Sequence, residues 1–165
     1  MTIDDNNFKF KLFIQTTDFI TNNIKDREGR PVLWLIMSFS SRPETKGVIK
    51  QYTVWQIEKI DKQTTHEGWV LIADFTQADQ TNIDLPWFMY LVELFQWSYP
   101  KAIKQIVLID LPDVIKPSVQ MVLSVTYKEL KEKVVLIGKE KLANYIDAIL
   151  IPEHLRIASH QTVAG

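Results

Sequence analysis

The fold is decided by two stretches of sequence, WVLIADF at residues 69–75 and QIVLIDLP at residues 105–112. Each is a run of apolar residues of strand length that contains an aspartate near its end. Such runs are typical of strands in a parallel sheet, because helices or loops cover both faces of that sheet. Similar runs occupy residues 32–38 and 133–138. The sequence therefore predicts four buried strands.

Helical patterns separate the predicted strands. They cover residues 42–62, 85–98 and 113–130. Asp84 is placed to cap the second helix, and Pro100 follows its end, because the residue before proline disfavours helical geometry. Strands that alternate with helices of this length predict right-handed crossovers. The expected fold class is α/β, a small and mostly parallel sheet with helices packed on it, either doubly wound or single-layered.

Composition narrows the classes of function. The chain has 165 residues, a formal net charge of −1 and no cysteine. Nucleic acid is a poor candidate partner because no basic block is present. The lack of cysteine excludes disulfides and thiolate zinc sites and favours a reducing compartment. No secretory signal or run of about 20 apolar residues is evident. We expect a cytoplasmic domain over residues 8–155, peripheral to membranes, and a polar tail over residues 156–165.

Catalytic signatures are scarce. The three histidines, at positions 66, 154 and 160, lie in separate loops or the tail and are expected to be solvated. Asp74 and Asp110 are the strongest enzymatic candidates, because ligand sites gather at the carboxyl ends of parallel strands. Strand-end aspartates more often anchor the following loop through backbone hydrogen bonds. We therefore predict no catalytic residue, no metal site and no cofactor other than a bound lipid.

Two of the predicted helices carry apolar residues around most of their circumference. One side can pack on the sheet, whereas the other requires a second apolar neighbour. That neighbour is a second buried layer of the protein, or it is a lipid, a membrane surface or a partner protein. The residues that carry this pattern include Met89, Val92, Val114, Val119, Val122, Leu123 and Val125.

Five segments together resemble the CRAL-TRIO lipid-binding domain. Two of them enclose the strand runs quoted above, GWVLIADFTQAD at 68–79 and WSYPKAIKQIVLIDLPDVI at 97–115. The others are REGRPVLWLIM at 27–37, LKEKVVLIG at 130–138 and KLANYIDAILIPEHL at 141–155. Domains of this family have a strand that ends in Asp, then a helix closed by Tyr-Pro, then a strand that leads to an apolar residue and Pro. A lysine before a β-branched strand and a terminal Pro motif follow. The segments of this chain occur in the same order.

The resemblance implies a sheet and helices that enclose one hydrophobic ligand, most naturally a phospholipid. It also implies that residues 113–130, here called the gate segment, open toward a membrane. The implied lipid-binding residues are Met89, Val92, Val114, Val119, Val122, Leu123, Val125 and Lys133. Lys133 matches a head-group lysine of phosphatidylinositol-transfer members, and Lys101 is the second head-group candidate.

The sequence departs from the family pattern in three places. Lys101 stands where those transfer members have Glu, IPEHL continues into RIASH instead of Gly-Gly, and the segment before Phe8 is too short for the usual preceding helical module. These departures favour a divergent copy.

Three other interpretations stay open. The first is an interaction module that kept the fold and lost the pocket, with a protein partner or a second copy as its ligand. The second is a STAS-like domain, for which Thr76 and Thr81 loosely echo a phosphorylated position after a strand-end aspartate. The third is an enzyme that uses Asp74 and Asp110.

Overall fold

The computed structural model describes residues 20–38, 44, 46–64 and 67–157. Five strands form one sheet: β1 (Ile20–Lys25), β2 (Pro31–Ile36), β3 (Trp69–Asp74), β4 (Ile103–Ile109) and β5 (Val134–Ile137). The helices are α1 (Lys46–Gln63), α2 (Leu85–Ser98), α3 (Lys116–Ser124) and the short α4 (Lys128–Lys131). Three 3₁₀ turns, Lys139–Asn144, Ala148–Leu150 and Glu153–Leu155, complete the described chain.

The strands lie in the order β1-β2-β3-β4-β5, and all neighbours except β1 and β2 pair in parallel. Each new parallel strand is added on the same side of the previous one. Right-handed crossovers then place every connecting helix on one face of the sheet. The sheet is therefore singly wound, which is the single-layered form of the α/β fold that the sequence predicted.

Alternate side chains of the buried strands point to opposite faces, as strand geometry requires. On the helical face, Leu33, Leu71 and Leu108 belong to a core that includes buried side chains of α1, α2 and α3. On the other face, Trp34 and Ile72 belong to a second core. The 3₁₀ turns and the links between them cover that second face with four side chains, Leu142, Ile146, Ile151 and Leu155.

The four predicted strands are confirmed, and β1 is an addition that the sequence pattern did not reveal. Its sequence, ITNNIK, is mostly polar, and its pairing with β2 shifts register between Thr21 and Ile24. A polar edge strand lacks the apolar run that marks a strand buried on both faces. Residues 42, 43 and 45 of the first predicted helix lie outside the described residues.

The predicted helix over residues 113–130 is wrong in one respect, because it is broken in two. α3 ends at Ser124 and α4 begins at Lys128. The Thr126 hydroxyl donates to the carbonyl of Val122 at 2.8 Å, which occupies an acceptor at the end of α3. Apolar periodicity continues through the break, so the sequence pattern alone did not reveal it.

Candidate functional site

The helical face of the sheet contains a small, partly enclosed cavity. Its volume, measured as the space that the centre of a water molecule can occupy, is about 20 Å³, which is enough for about one water. Its sheet side is formed by Leu35, Met37, Leu71, Ala73, Ile106, Leu108 and Val134. Its helical side is formed by Phe88, Leu91, Val92 and Phe95 of α2 and by Leu123, Thr126 and Leu130 of the gate segment.

α2 presents one apolar stripe to this cavity. The Asp84 carboxylate accepts a hydrogen bond from the Trp87 N–H at 3.0 Å and so caps the helix, as predicted. The α2 residues of the cavity recur at helical spacing, so they share one face. Val92 therefore lies on the cavity wall. Met89 lies elsewhere on the helix, and 46% of its surface is exposed.

The gate segment divides its apolar residues between two sides. Val119 and Val122 of α3 are buried in the core of the helical face, and Leu123 contacts the cavity. Val114 and Val125, by contrast, are 51% and 77% exposed. The structure thus brings three of the five predicted gate residues against the sheet and α2. The other two face away from the protein.

The link between α3 and α4 is held by the end of α2. The Tyr127 N–H donates to Gln96 Oε1 at 2.6 Å. The Tyr127 ring also lies edge-on to the Trp97 ring, with 5.4 Å between their centroids. Sequence reasoning missed Gln96 and Tyr127 because this hydrogen bond joins residues 31 positions apart and has no local motif.

Lys101 lies in the turn before β4, and the Lys133 side chain reaches the same turn from the residue directly before β5. The Lys133 ammonium donates to the carbonyl of Pro100 at 3.1 Å, directly before Lys101. Partial burial desolvates this ammonium and lowers the pKa of Lys133; nearby Lys104 lowers it further, and Glu129 opposes the shift. Lys101 is exposed. Val134, the residue after Lys133, lies on the cavity wall, whereas neither lysine is among the residues that line the cavity.

The strand-end aspartates anchor loops, as the sequence analysis favoured. Asp74 Oδ1 accepts hydrogen bonds from the Thr76 N–H and hydroxyl at 3.0 and 2.6 Å. Asp110 has a φ of +50° and accepts a bond from the Lys139 N–H at 2.9 Å. His154 is exposed, as expected, and its Nε2 also lies 2.7 Å from Asp74 Oδ2. His66 and His160 lie outside the described residues.

The described part of the chain shows neither a metal-binding cluster nor a membrane-spanning helix. Within residues 20–38, 46–64 and 67–157, no three His, Asp or Glu side chains gather as ligands for a metal ion. Among the helices that the structure describes, none is both long and apolar enough to cross a bilayer.

Comparisons with known proteins agree with this architecture. The model of the CRAL/TRIO domain matches residues 16–155, which is most of the chain. The crystal structure of Sfh5 is similar in fold, with a TM-score of 0.63 and 13% sequence identity over 78% of this chain. The chain spans about half of that structure, 52% of its length. Members of the matched family generally bind and transfer lipids or other small hydrophobic ligands. By the extent of the family match, this chain belongs to the CRAL/TRIO domain family.

Proposed function

We propose that the protein binds one hydrophobic molecule, a phospholipid, between the sheet, α2 and the gate segment, for lipid transfer, sensing or membrane targeting. The observation that carries this proposal is the partly enclosed cavity beneath the gate segment. All its lining residues except Thr126 are apolar, and the Thr126 hydroxyl is satisfied by the Val122 carbonyl. An acyl chain in this place would meet no polar group that lacks a hydrogen-bond partner.

Binding requires the gate segment to move. Pockets for small molecules usually measure about 300–1,000 Å³, far more than the roughly 20 Å³ of this cavity. Lifting α3 would expose Ile115, Val119 and Val122, at a cost of about 1.5–3 kcal/mol for each side chain. An acyl chain offsets this cost, since each buried methylene contributes about 0.8 kcal/mol. The gate segment would therefore open when a lipid replaces its contacts.

The proposal includes no chemical turnover. Both carboxylate oxygens of Asp74 already have partners in Thr76 and His154. Asp110 is engaged with the backbone of the loop after β5. These engagements favour structural roles for the two aspartates.

The lysines favour an anionic head group. Lys133 directly precedes Val134 of the cavity wall, and Lys101 follows the Pro100 carbonyl to which the Lys133 ammonium donates. A lysine ammonium supplies a compact positive charge to a phosphate. We propose that the head group lies at this turn while the acyl chains occupy the enlarged cavity. The lack of cysteine suits action in the cytoplasm at membrane surfaces.

The test is native mass spectrometry of the purified protein, followed by organic extraction and lipid identification. Leu123→Trp would fill the cavity, and we expect it to abolish a stoichiometric lipid adduct that the wild type carries. Gln120→Trp is the matched control, because Gln120 lies on the same helix and is exposed. Circular dichroism verifies that both variants are folded. A lipid-free wild type that takes up nothing from mixed vesicles would contradict the proposal.

The second candidate is an interaction module that kept the fold and lost the pocket. The observation that favours it is the size of the cavity, which leaves the interior nearly filled. This function requires a stable protein partner or dimer and no lipid. Analytical ultracentrifugation of the same lipid-free sample, alone and with candidate partners, separates the two functions.

A further inference from the structure

Large apolar side chains protrude at one end of the described fold. Trp97, at the end of α2, is 69% exposed, and Tyr127 in the link after α3 is 51% exposed. Their rings contact each other, so they form one patch. Met121 on α3 and Val125, directly after the end of α3, are 66% and 77% exposed. We call these four side chains the aromatic patch.

The topology places the aromatic patch at the amino end of the parallel strands. α2 starts after the carboxyl end of β3 and runs back toward the start of β4. α3 starts after the carboxyl end of β4 and runs back toward the start of β5. The helix ends, the patch and the turn before β4 therefore lie at one edge of the sheet. The Asp74–His154 contact lies at the opposite edge.

Positive charge surrounds the aromatic patch. The segments 97–104 and 125–133 contain five lysines and two glutamates, so their net charge is 5 − 2 = +3, in a chain of net charge −1. The remaining residues therefore carry −1 − 3 = −4. Lys128 and Lys131 are exposed on α4, directly after Tyr127, and Lys101 is exposed on the turn before β4. The protein is thus electrically polarised toward this edge.

We propose that the aromatic patch and its lysines dock the protein on an anionic bilayer while the gate segment is still closed. The proposal deepens the lipid-binding function above and rests on it. Trp and Tyr favour the level of the lipid head groups, where their apolar rings and polar tips are both satisfied. Lysines extend their ammonium groups to anionic head groups and lay their methylenes along the apolar surface.

Charge complementarity selects an anionic bilayer as the occupant. The patch combines protruding apolar side chains with flexible lysines, which is the pattern of interfacial membrane binding. Docking in this orientation presents the Lys101–Lys133 turn and the α3–α4 link to the head-group layer. A lipid would then leave or enter beside the end of the gate segment without crossing water.

The experiment is co-sedimentation of the full chain with vesicles of phosphatidylcholine alone and of phosphatidylcholine with phosphatidylserine. We expect binding to the anionic vesicles only, and a loss of about fivefold in affinity for each lysine removed in Lys128→Gln and Lys131→Gln. Trp97→Ser should weaken binding further. Lys139→Gln with Lys141→Gln is the matched control at the opposite edge, and Ile149→Ser, at a site 77% exposed on the other face, is the apolar control.

Two further variants separate this inference from the proposed function. Leu123→Trp should sediment like the wild type, because it alters the cavity and leaves the patch intact. Gln96→Ala, which removes the hydrogen bond to the link but keeps both rings, should also sediment like the wild type. Bound lipid is measured independently by extraction.

The outcomes divide clearly. The docking surface is wrong if the protein carries lipid but does not bind anionic vesicles. It is also wrong if the patch variants and the control variants lose vesicle binding equally. Neither result contradicts the proposed function. A dimer that dissociates on Trp97→Ser, with no vesicle binding, assigns the patch to self-association and also overturns it. Vesicle binding that survives in a lipid-free protein supports the docking surface while the proposed function fails.

Discussion

At the scale of single residues, the contact between Asp74 and His154 is the clearest structural addition to the sequence analysis. The Asp74 side chain is 2% exposed at the end of the central strand. Its partner lies 80 residues later, in the last 3₁₀ turn over the second face of the sheet. A buried carboxylate requires hydrogen-bond partners, since an unsatisfied buried charge is costly. The contact therefore ties the carboxyl-terminal segment to the sheet.

Replacing His154 with Ala should destabilise the protein by about 1–3 kcal/mol, because Asp74 Oδ2 loses its partner. Urea unfolding followed by circular dichroism measures this change. In the double variant with Asp74→Asn, the further loss should be smaller, since the buried charge is gone. Glu153→Ala, one residue earlier and exposed, is the control. Equal stability of His154→Ala and the wild type would show that the contact contributes nothing.

In the proposed lipid complex, Lys133 would supply positive charge to the head group. Its lowered pKa means that the folded protein disfavours the ammonium, chiefly through desolvation. This cost is present while the group is charged and is relieved as pH rises through the lowered pKa toward the unfolded value of about 10.4. A phosphate near Lys133 would act in the opposite direction and raise the pKa.

We therefore expect an anionic phospholipid to raise the pKa of Lys133, and its affinity to fall as pH rises through the pKa of the free protein. Carbon-13 NMR of the lysine side chains, with Lys133→Gln for assignment, measures both states. Lys133 would not belong to the head-group site if a neutral or zwitterionic lipid shifted its pKa equally. The same conclusion would follow if its pKa did not change when the protein is saturated with anionic lipid.

At the scale of secondary-structure elements, the broken helix of the gate segment defines how that segment is held. α3 packs on the sheet through Val119 and Val122, while the link after it is held by Gln96 and Trp97 of α2. A short helix held at its end by one hydrogen bond and one ring contact can open without unfolding the sheet. The break thus allows α3 to move, as we propose, while α2 keeps its contacts with the sheet.

Replacing Gln96 with Ala should loosen the gate segment. A neutral hydrogen bond contributes about 0.5–1.5 kcal/mol, so local opening should be about twofold to tenfold more frequent. Hydrogen exchange of the backbone amides of residues 116–131, followed by mass spectrometry, reports this opening without any ligand. Gln120→Ala is the matched control, because Gln120 is exposed on α3 and its side chain makes no hydrogen bond within the described residues. Unchanged exchange in Gln96→Ala would mean that other contacts hold the link.

Prediction from sequence succeeded for elements with strong local signals. The apolar runs predicted β2, β3, β4 and β5, and Asp84 predicted the start of α2. It failed where the deciding contact is distant in sequence. Gln96 joins Tyr127, and Asp74 joins His154, through side chains that no local pattern relates. The alternation of β3 could have assigned Leu71 and Ala73 to the cavity face, once the side of the crossover was fixed.

At the scale of the whole molecule, the singly wound sheet creates two unlike faces. The helical face encloses the cavity and carries the gate segment, whereas the 3₁₀ turns close the second face with a packed apolar core. Because all crossovers lie on one side, α2 and α3 are neighbours and can enclose a ligand between themselves and the sheet. The second face then serves as a rigid support for opening on the first.

A ligand that binds the folded protein must stabilise it. At a free ligand concentration one hundred times the dissociation constant, the gain is about 2.7 kcal/mol. For a chain of this size, 1 kcal/mol corresponds to about 2–4 °C, so the melting temperature should rise by about 5–11 °C. Differential scanning fluorimetry with increasing phospholipid, for wild type and Leu123→Trp, tests this. If phospholipid raises the melting temperature of the wild type but not of Leu123→Trp, the lipid stabilises the protein by binding in the cavity. If both melting temperatures rise equally, the lipid binds at the surface. No shift in either protein would favour the interaction module, whose stability depends on a protein partner.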